Sequence, residues 1–310
     1  MSENLPDLFD AVLALPDTAA DRRYEQLVGL DDLKSQLLKQ ARILLQPTLL
    51  DKWVEQHHGR QLPLVEIIRD RPPLFIFGGD VGTGKTTLAE TFGSALARSE
   101  RKLESVTLMR VSLNARGSGT VGEMTTLITR AFAAVEAEVP AMGKGDPTSA
   151  VVLLIDEADA LAQTRESDQM HHEDRAGVNA LIRGIDSIAT ARRPVITILC
   201  TNRLDALDPA IRRRAFNEFE FARPNVEQRV ALLSALFEGA GFSPEQIAEL
   251  AIVTGETADR KYGFTYSDIT TRLASAVLLD AFPDSPLTHK RALAIAVGLA
   301  ATPPFSPSPG

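Results

Sequence analysis

Residues 74–88 read LFIFGGDVGTGKTTL, and no other stretch restricts the possible folds as tightly. Leu74, Phe75, Ile76 and Phe77 have the length and character of a buried parallel strand. Gly79, Gly84, Lys85 and Thr86 then complete G-x-x-x-x-G-K-[ST], and Leu88, Phe92, Ala95 and Leu96 recur at helical spacing. Strand, glycine loop and helix in that order turn a string match into a phosphate site. The loop glycines let successive backbone N–H groups curl inward toward phosphate oxygens, and the helix N-terminus adds its own free N–H groups and dipole. The nucleotide contacts are therefore expected from Gly79, Asp80, Val81, Gly82, Thr83, Gly84, Lys85, Thr86 and Thr87. Lys85 is expected to reach the β- and γ-phosphates of ATP, and the Thr86 hydroxyl to ligate Mg²⁺.

Three further motifs follow downstream. Residues 151–159 read VVLLIDEAD, two carboxylates directly after five apolar residues. Asp156, at the strand tip, is placed to hold the Mg²⁺ shell, and Glu157 to orient and deprotonate an attacking water. The apolar run 195–200 ends in Cys200-Thr201-Asn202. Asn202 therefore falls at the C-terminal edge of a strand, where ligands bind in open parallel sheets. Its amide is expected to hold the water or the γ-phosphate. Residues 208–215 read DPAIRRRA, and three consecutive arginines repel one another unless something anionic receives them. Phosphoryl transfer supplies a reason, since an inserted guanidinium stabilises charge spread over the γ-phosphate oxygens. A solvated basic face is the competing reading.

Strands are expected at 74–77, 105–113, 150–155, 195–200 and 218–221, alternating with helices. That alternation implies a five-stranded parallel sheet covered by helices on both faces, an α/β fold. Beyond Pro224 the pattern is helical only, with Ser243-Pro244-Glu245-Gln246 as a capping box. Leu5, Leu8, Phe9, Val12 and Leu13 repeat at the spacing of an amphipathic helix within residues 1–24. The expected organisation is an N-terminal helical arm (1–25), a large ATPase domain (26–222), a small all-helical lid (223–300) and a disordered proline-rich tail (301–310).

The charge balance, 41 acidic against 33 basic residues, argues against a broad nucleic-acid footprint. Cys200 is the single cysteine, which excludes a disulfide framework and a cysteine-based metal site. The pairs His57-His58 and His171-His172 have no carboxylate or cysteine at ligand spacing. No apolar run approaches membrane-spanning length, and the N-terminus is acidic, so a cytoplasmic protein with no membrane partner is expected.

The order of these motifs resembles the AAA+ ATPases over residues 26–280, most of the chain. The resemblance implies adenine contacts at Val28 and Gly29 in LVGLDDLK, and a homohexameric ring in which an arginine acts on the neighbour's ATP. Two stretches, LLIDEADAL…GVNALIRGIDSI and DPAIRRRAFNEFEF, look like the pachytene-checkpoint (Trip-thirteen) family. The triple arginine also resembles the meiotic clade, which uses two adjacent arginines, so Arg213 and Arg214 are both candidates. That resemblance implies ATP-driven remodelling of a HORMA-domain protein through a flexible tail, in its bacterial form within cyclic-oligonucleotide antiphage signalling. It also implies a substrate-gripping pore loop at Thr120, Val121, Gly122 and Glu123, although the family's aromatic pair is absent. Too few residues precede Gln26 for the eukaryotic relatives' adaptor-binding domain, and Arg272 lies near their lid sensor arginine without aligning to it. The rival classes are a clamp or helicase loader, for which no basic stripe is visible, and a nucleotide-gated scaffold, against which Glu157 and the arginines argue.

Overall fold

The structure, a computed structural model, describes residues 8–99, 102–113, 122–143, 145–162, 170–258 and 260–305; the side chains of 161–162 and 170–175 lie outside that description. Contacts divide the chain into two compact units. The first comprises Met1–Glu25, Asp32–Gly78 and Thr86–Glu220, and the second Gln26–Asp31, Gly79–Lys85 and Phe221–Gly310.

The first unit is built on a sheet whose strands are β1 (Ala11–Leu15), β2 (Leu74–Gly79), β3 (Ser105–Ser112), β4 (Ser149–Asp156), β5 (Val195–Thr201) and β6 (Asn217–Phe221). Among the described residues it is six-stranded, in the order β1-β3-β4-β5-β2-β6. Pairs β3–β4, β4–β5 and β2–β5 are parallel. All seven residues of β5, VITILCT, are buried, as a strand covered on both faces requires. On one face, α5 (Lys85–Ser99) comes close enough at Gly93 that a Cβ there would meet Leu15, Val106 and Val152. On the other, Phe132 and Val135 of α6 (Glu123–Glu138) and Leu181 and Ile185 of α7 (Met170–Thr190) join Met109, Leu153 and Ile155 in one apolar cluster.

The N-terminal helix expected over residues 1–24 does not form across the described stretch from Phe9 to Leu15. Ala11–Leu15 is instead β1, an edge strand antiparallel to β3, registered from Ala11 opposite Arg110 to Leu15 opposite Val106. In the strand Val12 and Leu13 remain 41% and 43% exposed, so burial of apolar side chains is not what holds this segment. The outer edge of β3 offers unpaired backbone groups, and pairing them is the stronger demand. Helix follows only at α1 (Thr18–Glu25). Residues 1–7, including Leu5, lie outside the described residues. Among the described residues the sheet is thus six-stranded and mixed, not five-stranded and parallel. Before the first core strand the chain forms α2 (Asp31–Leu45), α3 (Pro47–His58) and α4 (Pro63–Arg69), with Leu37, Ala41 and Leu45 the buried face of α2.

In the second unit, α9 (Val226–Leu236) and α10 (Pro244–Val253) each start on a full capping box, Asn225 with Gln228 and Ser243 with Gln246. A π-helical turn (Asp268–Leu273) leads into α11 (Ala274–Ala281), and α12 (His289–Gly298) follows. Arg260 stacks over the Phe264 ring at 4.4 Å and donates to the carbonyls of Val253, Ala296 and Leu299, satisfying helix ends that lack intrahelical partners. The proline-rich end is anchored where it begins: Thr302 donates through both N–H (3.0 Å) and hydroxyl (2.7 Å) to the Asp268 carboxylate. Residues 306–310 lie outside the described residues.

Candidate functional site

The residues assigned to the nucleotide fall in both units. In the second, Gly79, Gly82 and Gly84 hold φ of +148°, +77° and +97°. At Gly79 a Cβ would also lie 2.2 Å from the Phe221 carbonyl oxygen, so only glycine fits. Lys85 is buried, and its ammonium donates to the carbonyls of Gly79 (2.8 Å) and Asp80 (2.7 Å). Thr83, also buried, donates to the Asp80 carbonyl at 2.8 Å, whereas Val81 is 47% exposed. The Asp80 carboxylate pairs with Arg223 at 2.9 Å, and Arg223 also donates to the Gly263 carbonyl at 2.6 Å. The Ser267 N–H donates to the Gly82 carbonyl at 3.0 Å.

The segment carrying Val28 and Gly29 belongs to the same unit. Gly29 turns at φ +81° and its carbonyl accepts from Gln228 Nε2 at 2.6 Å. A Cβ on Gly29 would stand 3.4 Å from the Tyr266 hydroxyl. That hydroxyl is buried with no hydrogen-bond partner among the described residues. Burial, with Asp31 adding to it, pushes the phenol up to about 12, so Tyr266 remains a neutral donor near neutral pH.

In the first unit, Thr86 Oγ1 donates to Asp156 Oδ1 at 3.2 Å. Two hard oxygen donors side by side fit Mg²⁺. Burial pushes the Asp156 carboxyl above the ordinary carboxylate range, while Arg110 and the N–H of Glu157 pull against it. Arg110 bridges Asp156 (3.0 Å) and Glu90 (2.5 Å), and Arg23 also binds Glu90 at 2.9 Å. Glu157 has φ +55°, a left-handed conformation rare for a residue with a side chain. Its Oε2 accepts from Ser112 Oγ at 2.6 Å. Buried Asp159 accepts from both Thr201 Oγ1 and the Asn202 N–H at 3.2 Å, which fixes the end of β5 that presents Asn202. Thr87, in the first turn of α5, accepts at its carbonyl from Thr91.

The three arginines differ in their surroundings. Arg212, the last residue of α8 (Pro209–Arg212), grips Glu218 through Nε (3.0 Å) and Nη2 (2.6 Å). Arg214 grips Asp186 through Nε (2.8 Å) and Nη2 (3.1 Å). Each carboxylate holds its arginine's guanidinium above the ordinary range. Arg213 is exposed, and its side chain has no ion pair or hydrogen bond among the described residues. Arg272, the candidate lid sensor, is engaged by Asp268 (2.7 Å) and Thr302 (3.3 Å). Of the pore-loop residues, Thr120 and Val121 lie outside the described residues; Gly122, at φ +89°, precedes Glu123, the first residue of α6.

Sequence reasoning passed over Arg110, Ser112, Arg223, Tyr266 and the carboxylate of Asp10, and gave Asp186 no role beyond a position shared with the family it resembles. For Arg110 and Ser112 a signal exists: polar residues two apart near the C-terminal end of an otherwise apolar strand share one face there. Arg223, Asp10 and Asp186 meet their partners across long separations that no local pattern records, and nothing local marks the Tyr266 hydroxyl as buried.

Residues 75–223 match the family described as ATPase family associated with various cellular activities (AAA). CD-NTase-associated protein 6 of Escherichia coli strain MS 115-1 is 45% identical over 307 residues, 97% of each chain. Among solved structures, a chain of the E. coli MS115-1 HORMA:CdnC:Trip13 complex superposes with a TM-score of 0.88 at 43% identity, covering 99% of this chain and 100% of that one. Rhizobiales Trip13 superposes with a TM-score of 0.74 at 40% identity, covering 96% and 100%. With identity at that level along nearly the whole of both chains, this chain belongs to the AAA ATPases, in the Trip13-like family of CD-NTase-associated protein 6.

Proposed function

We propose that this chain is an ATP-driven remodeller of a HORMA-domain protein, acting as a homohexameric ring in cyclic-oligonucleotide antiphage signalling. The observation that carries the reading is a likeness, along nearly the whole of both chains, to a chain solved together with a HORMA protein and CdnC. The protein partner is engaged by a flexible tail at the pore loop, Thr120 to Glu123. Residues 26–222 act as the ATPase domain and 223–300 as its lid. A single cysteine leaves no disulfide to form within the chain, which supports a cytoplasmic setting.

In this mechanism the loop from Gly79 to Thr87 cradles the triphosphate, and Val28 and Gly29 line the base. Lys85 exchanges its carbonyl partners for phosphate oxygens. Thr86 and Asp156 would hold Mg²⁺, which would supply charge neutralisation on the phosphates. Glu157 takes the proton from the attacking water, and Asn202 orients that water. Arg213 is the finger offered to the neighbouring subunit: it alone of the three arginines has no carboxylate partner among the described residues. Arg214, tied to Asp186 on α7, braces the segment that presents it.

The test uses a purified HORMA protein bound to a fluorescent tail-binding peptide, with anisotropy reporting its release. ATP with this chain should accelerate release, while ADP, or ATP with the Glu157→Gln variant, should not. Release at one rate in all three conditions would refute remodelling.

A further inference from the structure

We propose that the N-terminal segment is part of the catalytic apparatus, with Asp10 acting as a positioning residue for Glu157 through Ser112. The inference rests on the reading of Glu157 as the general base.

Leu8 and Phe9 are 5% and 2% exposed and sit in the same apolar cluster as Val111, Leu113 and Ile128. Asp10 is therefore presented from an anchored stretch, not from a fraying end. Its N–H donates to the Arg110 carbonyl at 2.8 Å, and its Oδ2 accepts from the Ser112 N–H at 2.6 Å. One residue thus clamps both polar residues at the end of β3. The β1–β3 ladder runs only as far as Ala11 opposite Arg110, and the carboxylate supplies the acceptor that a further strand residue would have provided.

The clamped residue is the one that touches the catalytic carboxylate. The Ser112 hydroxyl donates to Glu157 Oε2 at 2.6 Å, and Glu157 is held at φ +55°. A conformation of that kind persists only where its surroundings over-determine it. Two short bonds in series, Asp10 to the Ser112 backbone and the Ser112 side chain to Glu157, transmit any shift of the N-terminal segment to the base. Misplacing a reacting group by about 1 Å costs on the order of 10²-fold in rate, so partial loosening should be visible in turnover. A strand cap with only a structural role would change stability and leave turnover per folded molecule untouched.

The test measures kcat for ATP, affinity for a fluorescent ATP analogue, and hydrogen exchange of a peptide covering residues 107–113. Asp10→Ala should lower kcat about tenfold with analogue affinity unchanged, and speed exchange at the Ser112 amide. Asp10→Asn keeps a neutral acceptor of the same shape and should fall between wild type and Asp10→Ala. In a Ser112→Ala background, where the side-chain link to Glu157 is already gone, Asp10→Ala should add less than a twofold change. If Asp10→Ala does not fold, Asp10→Asn in the two backgrounds decides the same question. Wild-type kcat in the Asp10 variants, a raised kcat, or an undiminished effect without the Ser112 hydroxyl would each overturn the proposal. A Glu157→Gln control separates the two readings: if it retains turnover, the general-base assignment fails first.

Discussion

Replacing Arg213 and Arg214 by alanine one at a time should divide two effects that adjacent arginines usually confound. Arg213 makes no side-chain ion pair or hydrogen bond among the described residues, so its loss removes nothing from the subunit's own stability. Arg214 loses a two-pronged contact to Asp186, but both partners are partly exposed, at 33% and 45% of their side chains. A pair so placed contributes at most about 1 kcal/mol, roughly 2–4 °C in melting temperature for a unit of this size. An arginine acting on a neighbour's γ-phosphate contributes about 10³–10⁵ in rate, or roughly 4–7 kcal/mol of barrier at 1.36 kcal/mol per tenfold. The expected pattern is Arg213→Ala with an unchanged melt and turnover down at least a thousandfold. Arg214→Ala should show a slightly lowered melt and a smaller loss of turnover. Steady-state phosphate release and thermal melts of the subunits read both. Mixing Arg213→Ala with Lys85→Ala subunits restores some interfaces with an intact loop facing an intact arginine, and partial activity should return. Wild-type turnover in Arg213→Ala, or no recovery in rings proven to be mixed, would refute the assignment.

Glu157→Gln should bind ATP while turning it over about 10²–10⁴-fold more slowly, and light scattering should find it assembled in ATP; a monomer with and without ATP would remove the ring. Val121→Asp should abolish partner release but leave basal hydrolysis in place, since a contact that must be desolvated becomes a charge; normal release would exclude the pore loop. Burial alone would raise the Asp268 carboxyl, yet hydrogen bonds from Thr265, Thr302 and Arg272 hold it below the ordinary range. Its stabilising contribution is therefore complete above about pH 4 and lost as pH falls through the depressed folded value. Asp268→Asn should flatten that acidic decline in melts from pH 7 to pH 2.5, and an unchanged slope would contradict the linkage. Tyr266→Phe removes a buried hydroxyl without a partner among the described residues and should raise the melting temperature of the nucleotide-free protein by the equivalent of about 1 kcal/mol; a lowered melt would mean that the hydroxyl is satisfied.

The glycine loop and the carboxylate pair were legible because their chemistry is local: Gly79 to Thr86 is one turn of chain, and Asp156-Glu157 ends one strand. Central strands were legible for a similar reason, since β4 and β5 are covered on both faces and read as near-continuous apolar runs. The edge strand β1 was not legible. Its pattern of burial, with only Leu15 fully covered, has no period of two, and its partner β3 lies about ninety residues away in sequence. Leu8, Phe9, Val12 and Leu13 happen to match helical spacing, and nothing local contradicts it. The arginines show the same limit. Their triplet is conspicuous, but what sets Arg213 apart is that Asp186 and Glu218 occupy its neighbours, and the first of those lies on a helix 28 residues upstream.

The bracing of the glycine loop bears on how this chain can be recombined with its relatives. Asp80 finds its counter-ion in Arg223, the Gly82 carbonyl finds its donor in Ser267, and Gly79 lies against the Phe221 carbonyl. The C-terminal helical segment is therefore not a portable cassette. A chimera that imports residues 224–305 from a relative keeps Arg223 but changes the chain around Gly263 and Ser267, to which the loop is fitted. One joined before Phe221 also replaces the Asp80 partner and the backbone that Gly79 touches. Exchanges that carry residues 79–85 together with the C-terminal segment should give working hybrids more often than exchanges at the boundary suggested by composition alone.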